Sequence, residues 1–522
     1  MLQLIATILY ILLIVTVVIV IIVDNGDPGR KFAWLLIIAT IPLFGILLYF
    51  LVGINYRHHW IFNRRHQKYT DIFLEGTSKD LNALLFGHEA DAIVREDFRP
   101  LAVMMGMKAY PSVTSGNDFE ILTHGSRKLE LLCEDILSAK ESIHLEYFKF
   151  GNDEGGKTIK ELLMRKAREG VKVRFILENI ANFPIRPKFY NEMGKAGVEI
   201  VRFTNPRTHL IELVTSLNYR NHRKIVVIDG KIGYTGGMNI NDNYFKRWRD
   251  THLRITGPAV ASLQYAFLDS WLTGGGTLDL PLLDYFPAAA PAGKALVSED
   301  HATLGTVSGG TGAEWCDANG GAERSEAPEP PTLFPAARLA GKLMQIIPDE
   351  PDLPIPMLKY SYEWIIQHAK KYIWLQTPYF VPPEPILDAM KIAARSGVDI
   401  RLMLPERADN FITRAANKAY YDEILGAGVR LFLRHGEFIH SKTIVCDDYL
   451  SSIGSANIDG RSFDINYEIN TYIYDEETAL RCKEIYKTDL EKSRELTLEE
   501  WSKRPWYNRL AESIIRLFSP LL

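Results

Sequence analysis

One pattern of polar residues occurs twice in this chain, once in each half. In each copy a histidine is followed by a lysine after two residues, an aspartate after seven, an asparagine after seventeen and a carboxylate after twenty-eight. The two sets are His222, Lys224, Asp229, Asn239 and Asp250, and His440, Lys442, Asp447, Asn457 and Glu468. A single copy would be weak evidence, but two matched copies predict two similar halves that share one active site.

The residues around the first histidine are typical of a buried β-strand. His222 and Lys224 are two positions apart, so on a strand both side chains lie on one face. The apolar run 225–228 fits a strand that is buried on both faces. Asp229 and Gly230 then form a hairpin-turn signal.

Small residues follow each motif: Gly236 and Gly237 in the first copy, and Gly454 and Ser455 in the second. Because such residues have little or no side chain, we expect the backbone to approach a substrate closely there, as it does in phosphate-binding loops.

The residue types suit chemistry on a phosphodiester. Two lysines would stabilise the non-bridging oxygens, one histidine would attack phosphorus, and the other would protonate the leaving alcohol. The two histidines must then differ in protonation. Asn239 and Asn457 are predicted to bind or orient the phosphate. Asp229 and Asp447 fit either a direct catalytic role or a cap on the hairpin turn.

Both halves also contain the order strand, helix, strand. The segment IHLEYFKF precedes a predicted helix near Gly156–Arg168, and YIWLQTPYF precedes one near Pro385–Arg395. Each helix ends close to a glycine, Gly170 or Gly397, and a β-branched strand follows. This alternation predicts an α/β sandwich domain that occurs twice.

Two uncharged segments at the start of the chain predict membrane-spanning helices. Residues 1–23 and Phe32–Ile54 each approach or exceed the roughly 20 residues that cross a bilayer as a helix. A cleaved signal peptide is the alternative for the first segment, but Met1–Ile5 contains no Lys or Arg.

A basic cluster after the second segment predicts the orientation. Arg57, Arg64, Arg65 and Lys68 outnumber the Arg30-Lys31 pair between the segments, which favours cytoplasmic catalytic domains with both termini on that side. The net charge of −4 gives no general signal for nucleic-acid binding.

Two further segments differ from the globular halves. Residues 288–340 are rich in Ala, Gly, Pro, Ser, Thr and Glu, a composition that buries little core, so a low-complexity or disordered insert is predicted. In the tail, an apolar stripe at helical spacing comprises Trp506, Leu510, Ile514, Leu517, Phe518 and Leu521. This amphipathic tail would either pack on the protein or lie at a membrane surface.

The paired motifs are followed by the segments GGMN and GSAN. Together with stretches such as NYRNHRKIVVIDG, WRDTHLRITGPAV and LEEWSKRPWYNRLAESIIRLFSPLL, they carry a resemblance. The chain resembles the bacterial cardiolipin synthases of the phospholipase D superfamily. The resemblance covers most of the chain outside 288–340. One departure is Asp349-Glu350, where the resemblance implies a small Ser-Gly pair.

The resemblance implies two tandem phospholipase D-like α/β sandwich domains, related by a pseudo-twofold axis and preceded by two transmembrane helices. The expected division is a transmembrane hairpin at 1–56, a juxtamembrane connector at 57–107, a first domain at 108–287, the insert at 288–340, a second domain at 341–493 and the amphipathic tail at 494–522.

The resemblance also implies phosphatidyl transfer from one phosphatidylglycerol to another, which gives cardiolipin and glycerol through a phosphohistidine. It implies no metal and no cofactor, and a multi-pass protein of the bacterial inner membrane that binds phosphatidylglycerol and other anionic lipids but not nucleic acid. His222 is the expected nucleophile and His440 the expected acid. Asp250 and Glu468 are each expected to orient the histidine of their own half.

Other activities remain open on sequence alone. A membrane-anchored hydrolase or another phosphatidyltransferase would use the same histidines, and phosphatidylethanolamine could serve as the second lipid. The choice between an alcohol and water as acceptor depends on pocket shape and solvent exclusion, and the sequence leaves the oligomeric state undetermined.

Overall fold

The computed structural model of the protein describes residues 2–23, 28–50, 79–107, 110–203, 219–287, 339–351, 353, 355–409 and 411–518. The basic cluster at 57–68 lies outside the described residues, and so does the expected insert apart from its last two positions.

In the described part of the chain, fifteen strands form one sheet and four short strands form two pairs beside it. The strands of the first half are β1 Thr114–Leu122, β2 Ser142–Tyr147, β3 Lys172–Glu178, β4 Glu199–Phe203, β5 Lys224–Ile228, β6 Ile232–Gly236, β7 Trp248–Arg249 and β8 His252–Thr256. Those of the second half are β9 Leu339–Asp349, β10 Tyr372–Gln376, β11 Phe380–Val381, β12 Asp399–Pro405, β13 Arg430–Arg434, β14 Phe438–Ile439, β15 Thr443–Cys446, β16 Leu450–Gly454, β17 Ile458–Asp459, β18 Glu468–Tyr474 and β19 Ser493–Leu496.

The order of the large sheet repeats outward from its centre, where β1 lies antiparallel to β9. Outward from β1 come β8, β6, β5, β2, β3 and β4; outward from β9 come β18, β16, β15, β10, β12 and β13, with β19 at that edge. The two motif strands, β5 and β15, therefore occupy equivalent places. The predicted fold class of two tandem α/β domains is confirmed, while the exact domain boundaries stay predictions.

Helices cover the faces of this sheet. Three lie at the N-terminus: α1 Leu2–Val23, α2 Pro28–Thr40 and α3 Pro42–Leu48. The first half adds α4 Lys79–Phe86, α5 Arg99–Met105, α6 Gly125–Ser138, α7 Glu154–Arg168, α8 Pro187–Lys195, α9 Asp242–Lys246 and α10 Val260–Thr273. The second half adds α11 Met357–His368, α12 Glu384–Arg395, α13 Phe411–Lys418, α14 Tyr421–Ala427, α15 Gly460–Asp464, α16 Glu476–Glu491, α17 Leu498–Ser502 and α18 Trp506–Phe518. Short 3₁₀ helices lie at Glu89–Ile93 and Leu282–Tyr285.

Strand β5 is buried on both faces, as its apolar run predicts. Ile225 and Val227 pack in one core cluster, together with residues of α10. Val226 and Ile228 pack in another cluster, with residues of α6 and α7. Because apolar layers hold the strand from both sides, the histidine that precedes it has a fixed position.

The N-terminal segment contains one helix, α1, that is long and apolar enough to cross a membrane, judged on the described residues alone. The second uncharged segment is divided into α2 and α3 at Ile41, because Pro42 lacks the N–H that a continuous helix needs. A second span is therefore not shown as a single helix, and the end of that segment, 51–54, lies outside the described residues.

Candidate active site

His222 and Lys224 lie at the start of β5, and both side chains are buried. The backbone N–H of His222 donates to the carbonyl oxygen of Tyr467, a residue of the second half (2.9 Å). The Nζ of Lys224 donates to the carbonyl oxygen of His222 (2.6 Å). The ring of Phe148 meets the imidazole edge-on at 4.9 Å between centroids. The imidazole and the ammonium thus lie side by side in a largely apolar setting.

His440 and Lys442 repeat this arrangement in the second half. The backbone N–H of His440 donates to the carbonyl oxygen of Arg249, a residue of the first half (2.7 Å). The Nζ of Lys442 lies 2.8 Å from Nδ1 and 3.1 Å from Nε2 of the same imidazole. Each motif therefore makes a backbone hydrogen bond across the boundary between the halves.

Each carboxylate contacts the histidine of the opposite half. The Nδ1 of His222 lies 2.9 Å from both carboxylate oxygens of Glu468, and the Nδ1 of His440 lies 2.7 Å from Oδ2 of Asp250. The expectation that each carboxylate orients the histidine of its own half is wrong. The reason is the backbone pairing just described, since the residue before each carboxylate accepts a hydrogen bond from the opposite histidine.

Burial lowers the pKa of both histidines. For His440 burial and the nearby Lys442 lower the pKa to about 3. For His222 burial is again the main cause, and Lys224 and Lys442 act in the same direction. Both imidazoles are therefore neutral near pH 7. With Nδ1–H directed to a carboxylate, Nε2 of each ring is left unprotonated, which suits a nucleophile.

The lysines and carboxylates of the two halves form one charged cluster. Burial lowers the pKa of Lys442 to about 8 and that of Lys224 well below its ordinary value; the charge of Lys442 contributes to the lowering at Lys224. Burial alone would raise the pKa of Asp250 and Glu468, but the lysine and the histidine beside each carboxylate, together with the hydrogen bonds to it, outweigh burial and both pKa values are lowered. The structure thus brings together the histidine, lysine and final carboxylate of both motifs.

The aspartates of the motifs lie at the other end of the strands. Asp229 accepts hydrogen bonds from the backbone N–H groups of 140–142 at 2.8–2.9 Å, and Asp447 from those of 370–372 at 2.7–2.9 Å. Both have a left-handed backbone, with φ of 51° and 50°, which Asp tolerates in turns. A strand separates each from its lysine, on the order of 15 Å at the usual rise. Of the two roles left open for Asp229 and Asp447, the direct catalytic one is therefore corrected to a structural one: their carboxylates cap the backbone N–H groups of the chain that enters the neighbouring strands, β2 and β10.

The small residues make room for a carboxylate. A Cβ placed on Gly237 would lie 2.1 Å from Oδ1 of Asp250, so a larger residue would displace the group that holds His440. The equivalent residue of the second copy is Ser455, whose hydroxyl donates to Oε2 of Glu468 (2.5 Å). In this structure the group close to these small residues is the orienting carboxylate, and the approach to a substrate stays a prediction.

The two asparagines differ in their contacts. Asn239 is fully engaged: its Oδ1 accepts from the backbone N–H of Lys149 (3.1 Å) and its Nδ2 donates to the hydroxyl of Tyr244 (2.9 Å). The buried Oδ1 of Asn457 has no hydrogen-bond partner among the described residues. Asn239 thus orients a neighbouring tyrosine, whereas Asn457 keeps a buried oxygen that can accept a hydrogen bond.

Aromatic residues that the motif analysis did not identify surround His440. The rings of Tyr244, Trp248 and Phe438 lie 5.3, 5.4 and 6.1 Å from the imidazole, measured between centroids. The only sequence signal was the aromatic-rich stretch NYFKRW after the first asparagine. These rings exclude water from the imidazole, which is why burial dominates its pKa.

Arg223, between the first histidine and lysine, was also missed by the sequence analysis. Its buried guanidinium donates to the carbonyl oxygens of Glu468 (3.1 Å) and Asp349 (3.2 Å) and pairs with Glu350 (2.8 Å). The departure at Asp349-Glu350 therefore supplies a buried carboxylate that joins the halves behind the first histidine.

Comparison with known proteins identifies the family to which the sequence is similar. A family model described as "Cardiolipin synthase, PLD-like domain" matches residues 132–271 and 363–490, and one described as "Phospholipase_D-nuclease N-terminal" matches 8–53. The chain is 34% identical to the major cardiolipin synthase ClsA of Bacillus subtilis, over 100% of this chain and 99% of that protein. It is 33% identical to a cardiolipin synthase of Staphylococcus aureus, over 98% of this chain and 95% of that one.

The chain belongs to the cardiolipin synthase family. It is accordingly a phosphatidyltransferase of the phospholipase D type, as the sequence resemblance implied. Among solved structures, the phosphatidylserine synthase of Haemophilus influenzae has a similar fold, with a TM-score of 0.51 at 14% identity, over 77% of this chain and 95% of that one.

In this member of the cardiolipin synthase family, we expect kcat/KM to fall as the pH rises above about 8, because the pKa of Lys442 is lowered to about 8 and its ammonium is needed on the phosphoryl oxygens. A pH–rate profile with phosphatidylglycerol in mixed micelles measures this fall in kcat/KM. Lys442→Arg should lower activity but remove the fall at high pH, since arginine stays charged. The same fall of kcat/KM in this variant would contradict the assignment.

We also expect Glu350→Gln to destabilise the protein by about 3 kcal/mol, because it removes one charge of a buried ion pair and with it the carboxylate that pairs directly with Arg223. Thermal and denaturant unfolding of the full chain in detergent measure the change. Glu495→Gln is the control, since it disrupts the exposed pair with Arg430 and should cost less than about 1 kcal/mol. Equal losses in both variants would contradict the interpretation.

Proposed function

We propose that the enzyme transfers a phosphatidyl group from one phosphatidylglycerol to the free hydroxyl of another, which releases glycerol and forms cardiolipin. The observation that carries this proposal is the pair of cross-half contacts, in which each buried histidine has a carboxylate on Nδ1 and a lysine beside it. Two such groups can serve the two successive displacements that transfer requires, one as nucleophile and the other as acid and base.

In the first step Nε2 of His222 attacks phosphorus and the bond from phosphorus to the glycerol oxygen breaks. His440 donates a proton to that oxygen, so glycerol leaves as a neutral alcohol and a phosphatidyl-histidine remains. The anionic phosphodiester supplies the required difference in protonation, because a negative charge beside His440 favours its imidazolium form. Asp250 stabilises that cation through Nδ1.

In the second step the hydroxyl of another phosphatidylglycerol gives its proton to His440 and attacks phosphorus, and the bond to His222 breaks. Lys224 and Lys442 stabilise the non-bridging oxygens in both steps, where their charge acts most strongly because the site is buried. We assign the Nδ2 amide of Asn457 a hydrogen bond to one of these oxygens, because an amide N–H can donate to a phosphoryl oxygen whereas the buried Oδ1 of the same group can only accept.

For the location, we propose a multi-pass protein of the bacterial cell membrane with its catalytic domains in the cytoplasm. The apolar helix α1 supports membrane attachment. Helices α2 and α3 together provide a second apolar segment, and the basic residues that follow favour the cytoplasmic side.

Purified full-length protein incubated with phosphatidylglycerol labelled in its free glycerol tests the function. Equal amounts of cardiolipin and released glycerol are expected, with little phosphatidic acid. Hydrolysis would release the same glycerol but would form phosphatidic acid in place of cardiolipin. If phosphatidic acid is the lipid product, the enzyme is a hydrolase and the proposal fails. Adding phosphatidylethanolamine shows whether a different lipid competes as acceptor.

A further inference from the structure

The C-terminal helix α18 is held on the second domain by its polar face. Glu512 is only 8% exposed and pairs with Arg504 (3.0 Å), while Arg516 pairs with Glu423 on α14. Ile515, next to these groups, packs against the core. Helix α18 thus makes contacts with the protein, one of the two placements that the sequence left open, but the face that packs is mainly the charged one.

The opposite face of α18 is apolar and open to solvent. Five side chains on it are between 48 and 74% exposed: Trp506, Tyr507, Leu510, Ile514 and Leu517. A helix on a soluble domain normally buries its apolar stripe and exposes its polar one. A contiguous exposed stripe of this kind marks an interaction surface.

Two observations identify the occupant of this surface as a lipid bilayer. Helix α18 contacts α2, which belongs to the apolar N-terminal segment, yet α2 leaves the five side chains uncovered. Helix α2 itself exposes Phe32 and Leu36, so two helices that contact each other both expose apolar side chains, and one of them belongs to the segment proposed to attach the chain to the membrane. The tryptophan and tyrosine at the start of α18 are residue types that favour the region between headgroups and acyl chains.

We propose that the exposed face of α18 lies in the interfacial layer of the same bilayer that holds α1, parallel to its surface. The charged face then fixes the second domain against the membrane through Arg504 and Arg516. This surface is separate from the histidine cluster. Its role is to hold the catalytic domains in one orientation above the lipid, so that a headgroup reaches the site without the lipid leaving the bilayer.

Depth-dependent fluorescence quenching tests the proposal on the full chain. The protein is reconstituted into vesicles of phosphatidylglycerol and phosphatidylcholine whose acyl chains are brominated either near the headgroup or near the chain end. Trp506→Phe isolates the emission of Trp506 by difference from the unmodified protein. We expect this component to be quenched, and more strongly by bromine near the headgroup than by bromine near the chain end.

Trp501→Phe is the matched control. Trp501 lies on α17, five residues earlier, but is only 9% exposed and packs against the ring of Tyr421 at 5.1 Å between centroids, so its difference component should be insensitive to bromine at either depth. If the Trp506 component is equally insensitive, the proposal is overturned. A cross-link between copies of a Leu510→Cys variant, without quenching at Trp506, overturns it in favour of a second copy of the chain.

A kinetic measurement gives a second readout. The triple variant Leu510→Ser, Ile514→Ser, Leu517→Ser should raise KM for phosphatidylglycerol in vesicles several-fold and leave kcat unchanged. Ile392→Ser on α12 replaces a residue that is 66% exposed and should change neither constant. A change in kcat alone would contradict the proposal. The quenching experiment needs no catalysis, so its result stands whether or not the proposed transfer reaction is correct.

Discussion

Replacement of His222 by alanine is expected to lower turnover by about 10⁴-fold or more and to prevent formation of the covalent intermediate, because it removes the proposed nucleophile. His440→Ala should lower turnover by a similar factor for a different reason, since it removes the proton donor of the first step and the base of the second. Turnover alone therefore does not separate the two roles.

A substrate with an activated leaving group separates them. A phosphatidyl ester of p-nitrophenol needs no proton donor to release its alcohol, so His440→Ala should give a rapid burst of one equivalent of nitrophenol and then stop. His222→Ala should give no burst. Peptide mapping of the trapped His440→Ala protein should locate the phosphatidyl group on His222. A burst from His222→Ala with the group on His440 would reverse the assignment.

The second large effect is expected from the orienting carboxylates. Asp250→Asn and Glu468→Gln should each lower turnover on the order of 10³- to 10⁴-fold, because an amide that turns its NH2 group to Nδ1 selects the other imidazole tautomer and has no charge to stabilise the imidazolium. The side chains keep their size, so the space beside Gly237 is not altered. Circular dichroism and thermal unfolding of both variants check that the fold is retained.

The activated substrate also tests which histidine each carboxylate serves. Because Asp250 contacts His440, Asp250→Asn should keep the nitrophenol burst and lose steady-state turnover. Because Glu468 contacts His222, Glu468→Gln should lose the burst itself. Pairing within each half predicts the reverse, with the burst lost in Asp250→Asn and kept in Glu468→Gln. The two experiments together therefore decide whether each carboxylate serves the histidine of the opposite half or that of its own half.

The sequence was sufficient for the parts of the site that depend on local pattern. The apolar run after His222 and Lys224 predicts a buried strand, and β5 confirms it; the strand begins at Lys224, so His222 lies two residues before it and not on it. The two copies predict two equivalent halves because the same local pattern folds in the same way, and the sheet order agrees. The aromatic residues around His440 carry no spacing that marks them, so they were missed.

What the sequence by itself determined is therefore the set of reactive groups, the strands that carry them and the duplication of the domain. The tertiary structure decided three further points: each carboxylate serves the opposite histidine, Asp229 and Asp447 hold the chain that enters β2 and β10, and α18 turns its apolar face outward. The physical reason is that side-chain periodicity is set by neighbouring residues. The pairing of carboxylates with imidazoles depends instead on segments that are distant in the chain and come together only when the two halves pack. The same is true of the helix face that becomes covered.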